Sequence, residues 1–333
     1  MFQINRNFVA GDLTPAMLSP NQDAKTAPNI VSTTPSMPSG PTRESLLAAI
    51  ASLDLTSLAP ATDTDESTRI LCQQAQSGPV PCAAVCVLPK FVALAKTELA
   101  GSGVKVATVV NFPEGVAATE EVERQSRGAI ADGVDEIDVV WNWRKFTLGD
   151  ENGALAPIRA VAEAVAGSNQ SEQIVVKVIL ETAALESDSV YDAAHLVLHR
   201  LCGYGADSLP AGAEEDPDYV SPFSSAARTH LKFLKTSTGQ LAMSKSDPTP
   251  VSYENKSTGA TPAAVRALAE AINDVGARSV GIKVSGGVRT VEDAVGYLDI
   301  VSTKLDGELE GRFRIGASNV YGKLVSAVES HGV

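Results

Sequence analysis

In the run LKFLKTSTG (231–239) a lysine closes an apolar strand pattern and small hydroxyl residues follow it. Leu231, Phe233 and Lys235 share one parity, so in a strand they point to the same side. A cation on such a face is costly unless it is paired or its pKa is lowered. An amine with a lowered pKa is a nucleophile toward carbonyl carbon. Thr236, Ser237, Thr238 and Gly239 then offer small side chains and a glycine suited to close approach of a ligand. The alternative is a strand-end lysine whose stem lies on apolar surface while its ammonium reaches water.

Other strand-like runs supply companions. Where helices cover the outer side of a sheet, outward positions are apolar, and this settles parity. In VGIKVS, Val280, Ile282 and Val284 face out, so Lys283 faces in. In VDEIDVVW, Ile137, Val139 and Trp141 face out, which sends Glu136 and Asp138 inward. In IVVKVILE, Val176, Val178 and Leu180 face out, leaving Lys177 and Glu181 inside. Lys235 comes inward with Leu234 outward, and Lys232 is expected to reach solvent at the opposite rim. A structural ion-pair network is one account of such a cluster, but burying it costs several kcal/mol per ion before pairing. Its concentration near the ends of consecutive strands points to chemistry. Lys283 beside Lys235 disfavours the protonated form of each. One of them can then be a free amine that condenses with a carbonyl, and the resulting iminium is an electron sink for making or breaking a carbon–carbon bond. Asp138 can move protons through water. This route calls for neither a metal nor a cofactor.

The elements that must position these residues alternate regularly. Apolar, β-branched runs occur at 53–56, 82–88, 104–112, 134–141, 174–181, 231–237, 279–285 and 312–318. Helical segments lie between them, for example from Thr261-Pro262 to Gly276, from Pro89 to about Gly101, and from Asp188 to Gly203. This alternation predicts a parallel (β/α)8 TIM barrel over 43–333. A doubly wound open sheet is the rival, weakened because no G-x-G-x-x-G follows the first strand. Residues 1–42, rich in Pro, Ser, Thr and Asn, read as a disordered tail. Stretches 204–229, 240–260 and 302–311 read as loop insertions. Only 240–260 follows a strand and so falls on the C-terminal face, where barrel chemistry sits.

That face also carries glycine turns. SGGVRT (285–290) follows the seventh strand and leads to a helix capped by Thr290. GASN (316–319) follows the eighth and opens another helix. Loops in these two positions are the usual barrel phosphate site, where backbone N–H groups and helix N-termini face an anion. Arg289 would add charge there, or is simply a surface arginine. His195 and His199, four apart on a helix, have a metal-compatible spacing but no third ligand in view, and a packed helix face is the simpler reading.

The formal charge of −13 over 333 residues argues against nucleic-acid or membrane-surface partners, both of which need a basic face. No apolar run approaches the roughly 18 residues of a membrane span. The opening MFQINRNFVAGDLTP lacks the apolar core of a secretory signal. Cys82 and Cys86 share a face of one apolar run, which fits buried reduced thiols and a cytoplasmic location.

Together KTSTG, GIKVSGGVRT, DEIDVVWN, VKVATVVNFPEG and LDLT resemble the deoxyribose-phosphate aldolase family, over about residues 45–331 and in the family's order. The resemblance implies a class I aldolase of deoxyribose phosphate catabolism. Its substrate would be 2-deoxy-D-ribose 5-phosphate, cleaved to acetaldehyde and glyceraldehyde 3-phosphate. It implies a Schiff base on Lys235, a perturbing role for Lys283, proton transfer by Asp138, and Asp54 near the substrate. The implied phosphate site uses Gly239, Gly286, Gly287, Gly316, Ser318 and Asn319, with Thr238 beside them. The partner is a small phosphosugar, and the residues leave the assembly open, with a homodimer as one option. Other lysine-dependent barrels of the transaldolase type, and a noncatalytic phosphosugar-binding barrel, are the alternatives. The chain departs from many relatives at Gln240, where they carry lysine. It ends His331-Gly332-Val333 where some end in tyrosine, and Tyr321 is no assured substitute.

Overall fold

The computed structural model describes residues 40–170, 173–201, 230–240 and 259–331. The 1–39 part of the predicted tail, the 204–229 stretch and residues 241–258 of the other stretch lie outside these. Thr42, placed in the tail by the sequence pattern, already belongs to the domain. Its hydroxyl accepts from Ser45 N and caps helix α1 (Arg43–Ala51).

Eight strands close into a parallel barrel in chain order. They are β1 (Leu53–Ser57), β2 (Ala84–Val87), β3 (Lys105–Val110), β4 (Glu136–Val140), β5 (Val175–Ile179), β6 (Leu231–Lys235), β7 (Gly281–Ser285) and β8 (Phe313–Ala317). Pairing of β1 with β8, Asp54 opposite Gly316, closes the ring and excludes the open doubly wound sheet. Closure leaves no sheet edge, so each strand buries both faces: one against the helices, one inside the barrel. The parity argument holds: Asp138, Lys177, Lys235 and Lys283 meet inside the ring, so the alternating Ile137, Val139, Val178, Leu234, Ile282 and Val284, all fully buried, lie on the helix side.

Helix starts follow the side-chain chemistry. Thr64 and Thr290 form capping boxes with Ser67 and Asp293. Thr261 caps the helix Pro262–Asp274, with proline in its first turn where no N–H is needed. Two boundaries differ from the sequence pattern. The helix Val291–Lys304 takes up 302–304, so the loop before β8 is shorter than predicted. The segment 188–203 is an α-helix only over Ser189–Leu196, then a π turn over Val197–Leu201. Cys82 precedes β2 and does not share a strand face with Cys86, although both thiols are buried and free. No helix among the described residues is long and apolar enough to cross a membrane.

Candidate active site

Register carries the inward side chains to one another. Asp138 on β4 lies opposite Lys177 on β5, and Lys235 on β6 opposite Lys283 on β7. Lys283 in turn lies opposite Arg314 on β8. The ammonium groups of Lys235 and Lys283 both donate to Asp138 Oδ2, at 2.8 and 2.7 Å. Lys283 also pairs with Asp54. Lys177 sits among Asp54 (2.9 Å), Asp138 (3.1 Å) and Glu136. Arg314 completes the set, at 2.7 Å from Asp54 and 3.0 Å from Glu136.

The charges do not pair off evenly. Lys177, Lys283 and Arg314 together balance Asp54, Glu136 and Asp138, and Lys235 is a fourth cation whose one ion-pair partner, Asp138, is shared with Lys177 and Lys283. Burial, helped by the Lys283 charge, pushes the Lys235 amine below the usual lysine range against the pull of Asp138. Burial acts downward on Lys283 too, but Asp138 and Asp54 outweigh it and raise that pKa. Lys177 is likewise raised well above its ordinary value by Asp138, Asp54 and Glu136 in spite of burial. Burial acts to raise Asp138 and Asp54, yet the surrounding cations hold both well below the carboxylate range. Mutual repulsion between the two lysines, expected to lower both pKa values, is therefore accompanied by a net lowering only at Lys235.

Asp54, expected near the substrate, is fully buried with its carboxylate engaged by Lys177, Lys283 and Arg314. Sequence reasoning missed Arg314. The parity rule used for Lys283 would have found it, because Ile315 faces outward in RFRIG.

The turn after Lys235 is wired into its neighbours. Thr236 Oγ1 donates to Ser285 O (2.8 Å) and accepts from Ser285 N (2.9 Å), fastening the ends of β6 and β7 together. Ser237 Oγ accepts from Ala183 N at 3.1 Å. The hydroxyls of Thr236 and Ser237 are thus buried in structural bonds, not turned to a ligand as expected, whereas Thr238 and Gly239 are partly exposed. Gln240 Nε2 donates to Leu58 O (3.1 Å), tying this turn to the end of β1.

Gly239 and Gly286 meet where β6 and β7 end. Both have positive φ (71° and 86°), and a Cβ on Gly286 would lie 2.8 Å from Gly259 Cα. Glycine is required there by backbone approach as well as by conformation. Gly287 follows, exposed, at φ 84°. Gly316 is not in the turn where the sequence pattern placed it. It lies inside β8, and a Cβ there would stand 3.1 Å from Lys283 Cε and 2.8 Å from Ser285 Oγ. Its small size lets the Lys283 side chain cross the barrel. Ser318 and Asn319 are exposed in the turn before the helix Tyr321–Ser330. Lys323 Nζ donates to Arg289 O (2.8 Å), joining the turns after β7 and β8.

Tyr321 is elsewhere: its hydroxyl donates to Gln74 O at 2.7 Å, on the helix Asp65–Ser77. His195 and His199 stack ring on ring at 5.6 Å. Among the described residues no group of three or more His, Cys, Asp or Glu is arranged to hold a metal ion.

Residues 48–312 match the model of the DeoC/LacD family aldolases. The chain belongs to this family. It is an aldolase, a carbon–carbon lyase. Solved structures share its fold. An apo-form barrel from Toxoplasma gondii ME49, provisionally named a deoxyribose-phosphate aldolase, is 23% identical with a TM-score of 0.64, covering 86% of this chain and 97% of its own. A protein from Coccidioides immitis with the same provisional name is 24% identical with a TM-score of 0.60, covering 86% and 87%. The deoxyribose phosphate aldolase from Aeropyrum pernix is 23% identical with a TM-score of 0.55, covering 88% and 99%.

One further acid of this aldolase borders the lysines. Glu181 was expected on the inward parity of β5, but that strand ends at Ile179, and Glu181 lies beyond it in the left-handed region (φ 51°, ψ 52°). Burial pushes its pKa from 4.5 up to about 7, against the pull of bonds from Thr238 and Ser237. A raised carboxylate pKa means that stability is fully present below the unfolded value and is lost as pH rises through about 7. Glu181→Gln removes that loss. Its stability relative to the parent protein should increase by roughly 3 kcal/mol from pH ~4.5 to pH ~8, read from urea unfolding midpoints. A constant difference between the two proteins would show that Glu181 does not titrate in this window.

Proposed function

We propose that this aldolase reversibly cleaves 2-deoxy-D-ribose 5-phosphate to acetaldehyde and glyceraldehyde 3-phosphate through a Schiff base on Lys235, serving deoxyribose phosphate catabolism. The observation that carries the reading is the charge balance around Asp138, which leaves Lys235 as the lysine able to lose its proton. Its neutral amine attacks the C1 aldehyde of the open-chain sugar, and the carbinolamine loses water to give an iminium. The C3 hydroxyl then gives up its proton as the C2–C3 bond breaks, and that electron pair moves into the iminium to form an enamine. Glyceraldehyde 3-phosphate departs. Protonation of the enamine at C2 and hydrolysis release acetaldehyde and restore the amine. Asp138, 2.8 Å from Lys235 Nζ, is the group placed to pass these protons through water. Lys283 keeps its charge and acts on Lys235, while Asp54 holds Lys283 and Lys177 in place. The phosphate is met by the partly exposed Thr238, through its hydroxyl, and by the backbone N–H groups of Gly239, Gly286, Gly287, Ser318 and Asn319. Gln240 in place of a cation leaves the Thr238–Gln240 turn with neutral donors.

Acetaldehyde followed by borohydride tests the reading. Reduction should add one ethyl group, and peptide mapping should find it on Lys235. Turnover without label on Lys235, or label confined to Lys283, overturns the assignment. Preferential cleavage of ketose phosphates would keep the Schiff base and replace the substrate class.

A further inference from the structure

Beyond β5 the chain makes a sharp left-handed step at Glu181 and enters the short 3₁₀ turn Thr182–Ala184. A left-handed backbone at a non-glycine residue is a strain that persists where its surroundings hold it. Here the surroundings are the turn that follows Lys235. Thr182 N donates to Thr236 O at 3.0 Å. Ala183 N donates to Ser237 Oγ at 3.1 Å, and Thr182 Oγ1 lies 3.3 Å from the same hydroxyl. Thr238 N donates to Glu181 Oε2 at 3.0 Å. Three consecutive residues after β5 thus grip three consecutive residues after β6. Glu181 is the only side chain among those three gripping residues that takes a backbone N–H of that turn, and it is fully buried. Its other oxygen, Oε1, has no hydrogen-bond partner among the described residues.

The geometry points to Glu181 as a positioning residue: its carboxylate fixes the Thr238 N–H and thereby the Thr238–Gly239 segment that borders the substrate, at the exit from Lys235. Lys235 is anchored separately, by strand pairing and by Asp138. Loss of the Glu181 bond should therefore loosen the substrate-facing turn more than the nucleophile. Only the identity of the ligand rests on the function proposed above. The state of the turn itself can be read without any ligand.

The experiment compares Glu181→Met, which fills the volume without a strong acceptor, with Glu181→Gln, which keeps an amide oxygen for the Thr238 N–H. In the free protein, exchange of the Thr238 amide should be at least about tenfold faster in the methionine variant and near the parent rate in the glutamine variant. With 2-deoxy-D-ribose 5-phosphate, the methionine variant should raise KM about tenfold while kcat stays within about threefold, and glutamine should restore KM. Unchanged Thr238 exchange in a folded methionine variant overturns the proposal, as does a loss borne by kcat with KM unchanged. Glu181→Ala replaces methionine if that variant does not fold. If neither folds while glutamine does, Glu181 serves fold stability and the positioning role is excluded. A protein that shows the exchange effect but cleaves no deoxyribose phosphate keeps the positioning of the turn and discards the substrate.

Discussion

Lys235→Met should lower the rate of aldol cleavage by a factor on the order of 10⁴ or more and leave the barrel folded. The reason is chemical. Without the amine there is no carbinolamine and no iminium to accept the electrons of the breaking bond. The fold survives because Asp138 keeps Lys177 and Lys283 as partners and methionine fills most of the vacated volume. Steady-state cleavage with an unfolding curve on the same sample separates the two effects. A well-folded methionine variant retaining a tenth of the parent activity would remove Lys235 from the mechanism. The pH profile adds a sign. Only the neutral amine attacks, so activity rises with pH through the Lys235 pKa, which lies below the usual lysine range because of burial and the Lys283 charge. Lys283→Met removes that charge and leaves Asp138 with less compensation. Both changes favour the ammonium form of Lys235, so the acid limb should move to higher pH.

The second large effect is expected at Asp138→Asn. This side chain accepts from Lys235 and Lys283 on one oxygen and lies 3.1 Å from Lys177 on the other. Neutralising it leaves Lys177, Lys283 and Arg314 facing Asp54 and Glu136 alone. Breaking a buried charge set by removing one member costs about 3–5 kcal/mol, because the remaining charge is unmatched and out of water. Loss of the proton-transfer group should lower kcat by roughly 10²–10⁴. Urea unfolding and cleavage kinetics should therefore both change, which distinguishes this residue from Lys235. If Asp138→Asn were as stable as the parent protein, the argument that three carboxylates are just enough for three cations would be wrong. The assignment of the neutral lysine would fall with it.

That assignment marks the boundary between what the chain shows in one dimension and what it does not. Parity is a local property, because successive strand residues alternate sides. The apolar Ile282 and Val284 were therefore sufficient to send Lys283 inward, Ile137 and Val139 to send Asp138 inward, and Val176 and Val178 to do so for Lys177. Helix caps at Thr261 and Thr290 and the paired glycines at 286–287 are local for the same reason, and the order of elements then implied the barrel. Charge state is not local. It depends on how many cations and carboxylates share one desolvated space, and here that space is built from β1, β4, β5, β6, β7 and β8. Arg314 enters the count from the far end of the chain, and Asp54 from the first strand, so repulsion between Lys235 and Lys283 could not by itself say which would yield its proton. Backbone departures were also beyond reach. IVVKVILE reads as one continuous strand, yet pairing ends at Ile179 and Glu181 turns left-handed to meet Thr238. The sequence by itself determined which side chains enter the barrel. Only the tertiary structure decided that Lys235 is the one in excess, because proton affinity inside a low-dielectric core is set by the sum of all charges around it.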